Sequence, residues 1–227
     1  MSKILTMLKL QQKLNDSTNG ENWEAGTTKN GKKIDWKRCI YMESAEMVDS
    51  FAWKHWKAIT ADSDWDNHKI EVIDVWHFVM SLALQEYKMN NLGSIKDIEL
   101  WIGSNSNYKN IENDNETYSD IDPLLIKIEE LMLDSLTRTN FDINTMLDHF
   151  FELVSMSGLN LDSLYSLYVG KNILNQFRQD HGYKEGTYIK VWNDKEDNMV
   201  MKSFWEKDSN LTPESLYNNL EEVYKTL

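Results

Sequence analysis

The sequence predicts an all-α protein, and three observations carry that prediction. Proline and glycine are scarce, with two and nine residues in a chain of 227, which favours long helices over a turn-rich β fold. Apolar residues recur at helical spacing through much of the chain, as in Ile4, Leu5 and Leu8 and again from Leu124 to Leu136. Two acidic pairs, Glu43/Glu46 and Glu71/Asp74, are each spaced three apart inside apolar, aromatic-rich sequence. That spacing sets two side chains on one face of a helix. Carboxylates on the inner faces of packed helices repel one another and lose hydration, so they need a partner. Four that converge would hold hard divalent cations through oxygen, and Mg2+ that keeps waters and substrate phosphates is the usual case. The alternative is that both pairs lie on solvated helix faces, because an acidic chain contains such spacings often.

Residues 3–17 form an amphipathic helix, with Ile4, Leu5, Leu8, Met7 and Leu14 on its apolar side. Gln11 and Asn15 lie one turn apart on it. An amide offers both donor and acceptor, as a base edge does, although two surface amides have the same spacing. A polar loop follows to Lys33. Asp35 is placed to cap the helix of Glu43 and Glu46.

Geometry then requires a break. A straight helix running to about residue 59 and turning back at about 66 would leave Glu46 roughly 20 Å from the turn and Glu71 roughly 8 Å, at about 1.5 Å per residue. The pairs would not meet. The helix is therefore expected to stop after Asp49 or Ser50, with Trp53 to Lys57 forming a separate short helix or turn that acts as a lid or wall. Taken alone, Trp53 and Trp56 read as core. Asp64 or Ser63 caps the second carboxylate helix, which runs to about Met89 and carries His77 three residues after Asp74. A lone histidine on an apolar helix is usually packed and hydrogen-bonded.

Residues 90–122 are rich in Asn, Asp and Ser and read as an irregular insertion around the apolar island Ile98 to Trp101. Pro123 marks a helix start, Phe141 to Asn144 open a second helix that ends near Gly158, and Leu161 to Asp180 form a third. On this last helix Lys171, Asn175 and Arg178 fall at i, i+4 and i+7, a single stripe. Gly182 and Gly186 break it into a loop that offers Lys184 and Lys190. A surface stripe of basic residues is the alternative. The tail holds two more helices, the second signalled by Thr212 as N-cap and Pro213 at the first helical position. The whole chain, 1–227, is read as a single domain.

Composition narrows the function. The net charge of −13 opposes a general nucleic-acid binder, because phosphate backbones need basic surfaces. Cys39 is the one cysteine, so no internal disulfide forms and a reducing cytoplasm fits. The N-terminus shows no long apolar signal region. The longest apolar stretch, Val75 to Leu84, is interrupted by His77 and Ser81 and falls short of the roughly 20 residues of a membrane span.

Met42 to Ser50, Trp53-Lys54-His55-Trp56-Lys57, Glu71 to Phe78, Gly170 to Arg178, and then Gly182, Tyr183, Lys184, Gly186, Tyr188, Lys190, Trp192 and Glu196-Asp197-Asn198 together resemble the dimeric dUTPase family. That family belongs to the all-α NTP pyrophosphatase superfamily, which includes the MazG proteins. The likeness runs in order from about residue 8 to residue 198 and is nearest to the Campylobacter-type bacterial enzymes. It implies a helical bundle of the all-α NTP pyrophosphatase type, a homodimer, and a Mg2+-dependent hydrolase taking dUTP to dUMP and pyrophosphate and dUDP to dUMP and phosphate. It implies that Glu43, Glu46, Glu71 and Asp74 hold the metal, with Glu43 or Glu46 taking a proton from water. Gln11 and Asn15 would read the base, Trp53 would lie beside the nucleotide and His77 beside the deoxynucleoside. Lys171, Asn175, Arg178, Lys184 and Lys190 would grip the phosphates. One departure is Asp194, which stands where the family usually has Gly and so bears on the local turn and on Glu196 and Asp197.

A di-iron carboxylate bundle needs E-x-x-H on two helices, and only Asp74-Val75-Trp76-His77 comes near it. A non-enzymatic helical interaction protein would show no divalent-dependent nucleotide turnover. The nearest enzymatic alternative is a related pyrophosphatase acting on another pyrimidine nucleotide such as dCTP.

Overall fold

A computed structural model of the chain describes residues 2–56, 62–113, 119–208 and 211–227. Those residues form ten α-helices, one 3-10 turn and a two-stranded hairpin, an all-α architecture as the sequence predicts. The chain divides into two compact units, Met1–Leu164 and Tyr165–Leu227.

In the first unit, α1 (Lys3–Asn19) starts at Ser2, whose hydroxyl accepts from the Leu5 amide. Asp35 caps α2 (Trp36–Asp49) by accepting from the Arg38 amide, and Asp64 caps α3 (Trp65–Met89) by accepting from the Asn67 amide. Aspartate is among the strongest N-caps because its carboxylate satisfies an amide that no carbonyl can reach. In α3, 14 of 25 residues are buried. A helix apolar on most of its circumference belongs in the interior, and α3 packs against α1 and α2 accordingly.

The break after Asp49 is where the carboxylate geometry requires it. The Ser50 carbonyl accepts from the Asp64 amide at 2.8 Å, and Asn67 Nδ2 donates to Ser50 Oγ at 2.9 Å. These bonds bring the start of α3 to the end of α2, with the described residues 51–56 and 62–63 outside both helices. Trp53 and Trp56 stand there 42 % and 62 % exposed, with their rings edge to face at 5.6 Å. They are not core. A turn covers His55 and Trp56, and Lys57 lies outside the described residues.

The stretch 90–122, expected to be irregular, carries α4 (Ile95–Ser104) and α5 (Ser106–Asn113); residues 114–118 lie outside the described residues. The Asp97 carboxylate accepts from both the amide and the hydroxyl of Ser94 at 2.7 Å, closing the first turn of α4. Ile98, Ile102, Tyr108 and Ile111 are buried. Each helix is too short to show a period, and the polar residues that suggest a loop cover the solvent side. α6 (Ile121–Leu136) then packs against α2 and α7 (Ile143–Met156). Trp76 of α3 stacks on Phe150 of α7 at 4.8 Å.

The second unit holds α8 (Leu161–Asp180) from Tyr165 onward, β1 (Val191–Trp192), β2 (Lys195–Glu196), α9 (Asp197–Lys207) and α10 (Pro213–Tyr224). Its core is aromatic. Phe177 is fully buried, with His181 stacked on it at 3.9 Å and Trp192, Tyr217 and Tyr224 within 5.7 Å. A Cβ at Gly170 would meet Trp205 Nε1 at 2.4 Å and Met201 Sδ at 2.6 Å, so glycine lets α9 lie against α8. The hairpin turn answers the question raised by Asp194. Asn193 and Asp194 have φ of 48° and 65°, two left-handed residues in a row, the requirement of a tight type I′ hairpin. Asn and Asp are the non-glycine residues that tolerate it best.

Candidate active site

α2 and α3 bring Glu43, Glu46 and Glu71 together, each offering a carboxylate oxygen within 4.8 Å of the other two. Glu71 is buried, Glu43 half-buried and Glu46 exposed, so the group opens from the interior towards solvent on the Glu46 side. Asp74 stands outside this gathered set. It is half-buried on the same helix as Glu71, one turn further on. Oxygen-only donors at this spacing suit Mg2+ or another hard divalent cation rather than a soft one. The negative potential registers on a neighbour. Cys39, one turn before Glu43, has its thiol pushed up to about 11, by burial first and then by the charge of Glu43.

Further along α3 the same face carries His77 and Ser81. His77 Nδ1 lies 2.8 Å from the Ile73 carbonyl. A carbonyl only accepts, so Nδ1 carries the proton and the ring orientation is tied to the helix backbone. Ser81, fully buried, meets the two amides of α1: Gln11 Nε2 donates to its hydroxyl at 3.0 Å and Asn15 Nδ2 at 2.9 Å, while Gln11 Nε2 also donates to Asn15 Oδ1 at 3.2 Å. Gln11 and Asn15 are 2 % and 4 % exposed. They are therefore not surface amides. Ser81 was visible in the sequence as a break in an apolar run. Its spacing of four from His77 and seven from Asp74 is the signal that places it on their face of α3.

In the second unit the basic stripe is more closed than its spacing suggests. Arg178 makes a two-pronged pair with Asp197, Nε to Oδ2 at 2.8 Å and Nη2 to Oδ1 at 2.7 Å, and its Nη1 donates to Asn175 Oδ1 at 3.2 Å. Asp197 is fully buried and also accepts from the Tyr188 hydroxyl at 2.8 Å and the Asn198 amide. Burial, followed by the charge of Asp197, raises the Tyr188 phenol well above its usual range. Lys171 donates to Asn198 Oδ1 at 2.9 Å. The guanidinium fork that would suit two phosphate oxygens is thus engaged by a carboxylate. Lys184 and Lys190 are exposed, Lys190 lying 3.6 Å from Glu196.

A helical fold that gathers three oxygen donors from two helices, with buried amides facing the same helix, has the makings of a nucleoside triphosphate pyrophosphohydrolase. Comparison with protein families matches residues 3–183 to dUTPase, a span that contains Gln11, Asn15, all four carboxylates, His77 and Arg178 and ends before Lys184 and Lys190. The chain belongs to the dUTPase family, and its enzymatic class is dUTP diphosphatase. Comparison with curated proteins finds no match. Among the described residues no helix is long and apolar enough to cross a membrane.

Proposed function

We propose that the chain is a Mg2+-dependent enzyme that hydrolyses dUTP to dUMP and pyrophosphate, and dUDP to dUMP and phosphate. The observation that carries this reading is the convergence of Glu43, Glu46 and Glu71 within 4.8 Å, to which Asp74 adds a fourth carboxylate on the same helix face. Bound there, Mg2+ would neutralise phosphate charge and make water a better nucleophile at neutral pH. Glu43, half-buried beside Glu46, takes the proton of the attacking water, with Glu46 as the other candidate. Attack at the β-phosphorus expels dUMP from either substrate, so one reaction centre serves both. Gln11 and Asn15 read the uracil edge, His77 flanks the sugar and Trp53 covers the nucleotide. Lys171, Asn175, Lys184 and Lys190 take the phosphates; Arg178, held by Asp197, contributes its charge and Nη1 rather than its whole fork.

Exposed Met42 on α2 and Ile126, Leu133 and Leu136 on α6, two helices that pack together, support a homodimer. The acidic charge of −13 supports a partner list without nucleic acid, and the single cysteine supports a cytoplasmic setting.

Purified protein incubated with each nucleoside triphosphate, with Mg2+ and with a chelator, tests the reading. We expect turnover of dUTP with Mg2+ only, and weak turnover of dTTP and dCTP. A tight pocket at uracil C5 excludes the methyl group, and unpaired buried polar groups at a wrong base edge are unfavourable by about 1–3 kcal/mol. Equal kcat/KM on dUTP and dCTP, or turnover that survives chelation, would overturn it.

A further inference from the structure

We propose that Asn67 and Ser50 are positioning residues that hold the turn of Glu46 on α2 against the turn of Glu71 on α3, and so set the spacing of the gathered carboxylates for a divalent cation. The inference rests on the reading that Glu43, Glu46 and Glu71 take that cation.

The two residues stand one turn beyond the carboxylates, each on its own helix. Ser50 follows Glu46 by four residues and Asn67 precedes Glu71 by four, so each shares a face with its carboxylate. Ser50 keeps helical backbone angles, φ −68° and ψ −14°, as the C-cap of α2. Its carbonyl accepts from the Asp64 amide at 2.8 Å, which sets the end of α2 beside the start of α3. Glu46 and Glu71 meet further along both helices, so the two run antiparallel there. Equal steps along antiparallel helices keep residues opposite each other. The contact of Asn67 with Ser50 is therefore the next rung beyond Glu46 and Glu71, about 6 Å away along the axes at about 1.5 Å per residue.

The rung is a chain of hydrogen bonds that ends on Glu46 itself. Asn67 Nδ2 donates to Ser50 Oγ at 2.9 Å, and Ser50 Oγ donates to the Glu46 carbonyl at 3.2 Å. The Ser50 amide donates to the same carbonyl, also at 3.2 Å. A side chain of α3 is thus tied, through one hydroxyl, to the backbone of a carboxylate residue on α2. Ser50 is buried, which shields the tie from competing water. The three carboxylates repel one another until a cation neutralises them, and that repulsion pushes α2 from α3. The tie opposes it. A site already held at its binding spacing spends less of the cation's interaction energy on rearrangement.

The test reads metal binding by the full chain without substrate. Free Mn2+ is followed by its paramagnetic resonance signal as protein is added, for the parent, Asn67→Ala, Ser50→Ala and the double variant. Urea unfolding in chelator, and turnover of dUTP against Mg2+ concentration, are measured alongside. Asn67 is exposed and alanine favours a helix, so Asn67→Ala decides the matter if Ser50→Ala does not fold. We expect Mn2+ binding about tenfold weaker in each single variant, the size of effect typical of residues that orient metal ligands, and no further loss in the double variant. The Mg2+ dependence of turnover should shift by the same factor, with kcat at saturating Mg2+ approaching the parent's. A merely structural role would lower the urea midpoint and leave Mn2+ affinity unchanged, which overturns the inference. Losses that multiply in the double variant overturn it too, because the two residues would then act separately. Glu46→Gln and Glu71→Gln separate the two readings. If they weaken Mn2+ binding and Asn67→Ala does not, the positioning role fails alone. If neither weakens it, the carboxylate site itself fails.

Discussion

In the first unit, carboxylate oxygens of Glu43, Glu46 and Glu71 lie within 4.8 Å of one another. In the second, one carboxylate, Asp197, lies against one guanidinium, Arg178, at 2.7 and 2.8 Å. Both arrangements are polar and partly or wholly buried, but their electrostatics are opposed. Like charges gathered by two helices raise the energy of the folded chain unless a cation neutralises them. Opposite charges with satisfied forks hold themselves together, and removing one partner is far worse than never having had the pair. The difference teaches that charge spacing on a helix does not reveal whether a group is offered to a ligand or closed on a neighbour. The acidic pairs and the basic stripe look equally available in sequence. The fold gathers three carboxylates of the first and closes much of the second on its own side chains.

The largest expected effect breaks the pair of Arg178 and Asp197. Asp197→Ala leaves Arg178 buried without its carboxylate and should destabilise the second unit by about 3–5 kcal/mol, read by urea unfolding. Arg178→Ala should lower kcat/KM for dUTP at least about tenfold, a loss of roughly 1.4 kcal/mol or more. If Asp197→Ala unfolds at the same urea concentration as the parent, the pair is not a clamp and Arg178 returns to the substrate.

A smaller free-energy change, but a complete functional one, tests the gathered carboxylates. Glu46→Gln and Asp74→Asn should each reduce Mg2+-dependent turnover by about a hundredfold or more, about 2.7 kcal/mol in barrier, with circular dichroism unchanged. Without divalent ions the Glu46→Gln protein should be slightly more stable than the parent, because repulsion is relieved. Asp74→Asn sharpens the comparison, since Asp74 lies outside the set of three. Parent-like activity there would confine the metal site to Glu43, Glu46 and Glu71.

The smallest effect concerns acid. His68, one turn before Glu71 on α3, is fully buried, with its Nε2 2.8 Å from Ser157 Oγ. Burial pushes its imidazole down from 6.5 to about 3, with nearby Lys69 adding to the shift. Between those values the unfolded chain binds a proton that the folded chain does not. Stability from this group is therefore full above about pH 6.5 and declines as pH falls towards 3, by at most about 1.4 kcal/mol per pH unit. His68→Gln should flatten that slope in urea unfolding at pH 7 and pH 5. Parallel slopes in the two proteins would remove His68 as the acid-sensitive contact of the first unit.

Much of the fold is legible in the sequence. Asp35, Asp64 and Thr212 announce their helices because a cap is a local bond, three residues long. The stop at Asp49 followed from helix rise alone, since two carboxylate pairs cannot meet across a helix that continues. Residues 95–113 look irregular in sequence because their helices are short and their polar side faces water, so neither period nor propensity stands out.

What the sequence determined by itself is therefore whatever depends on neighbours a few residues away: the helices, their caps, the faces carrying Glu43, Glu46, Glu71 and Asp74, and the stripe of Lys171, Asn175 and Arg178. Only the tertiary structure decided which faces meet. It set Gln11 and Asn15 of α1 against Ser81, some 70 and 66 residues away, and Arg178 against Asp197, 19 residues on. It put Trp53 and Trp56 in solvent rather than in the core. The physical reason is that a hydrogen bond or ion pair between distant residues depends on how whole helices pack, and packing is a property of all the side chains at once.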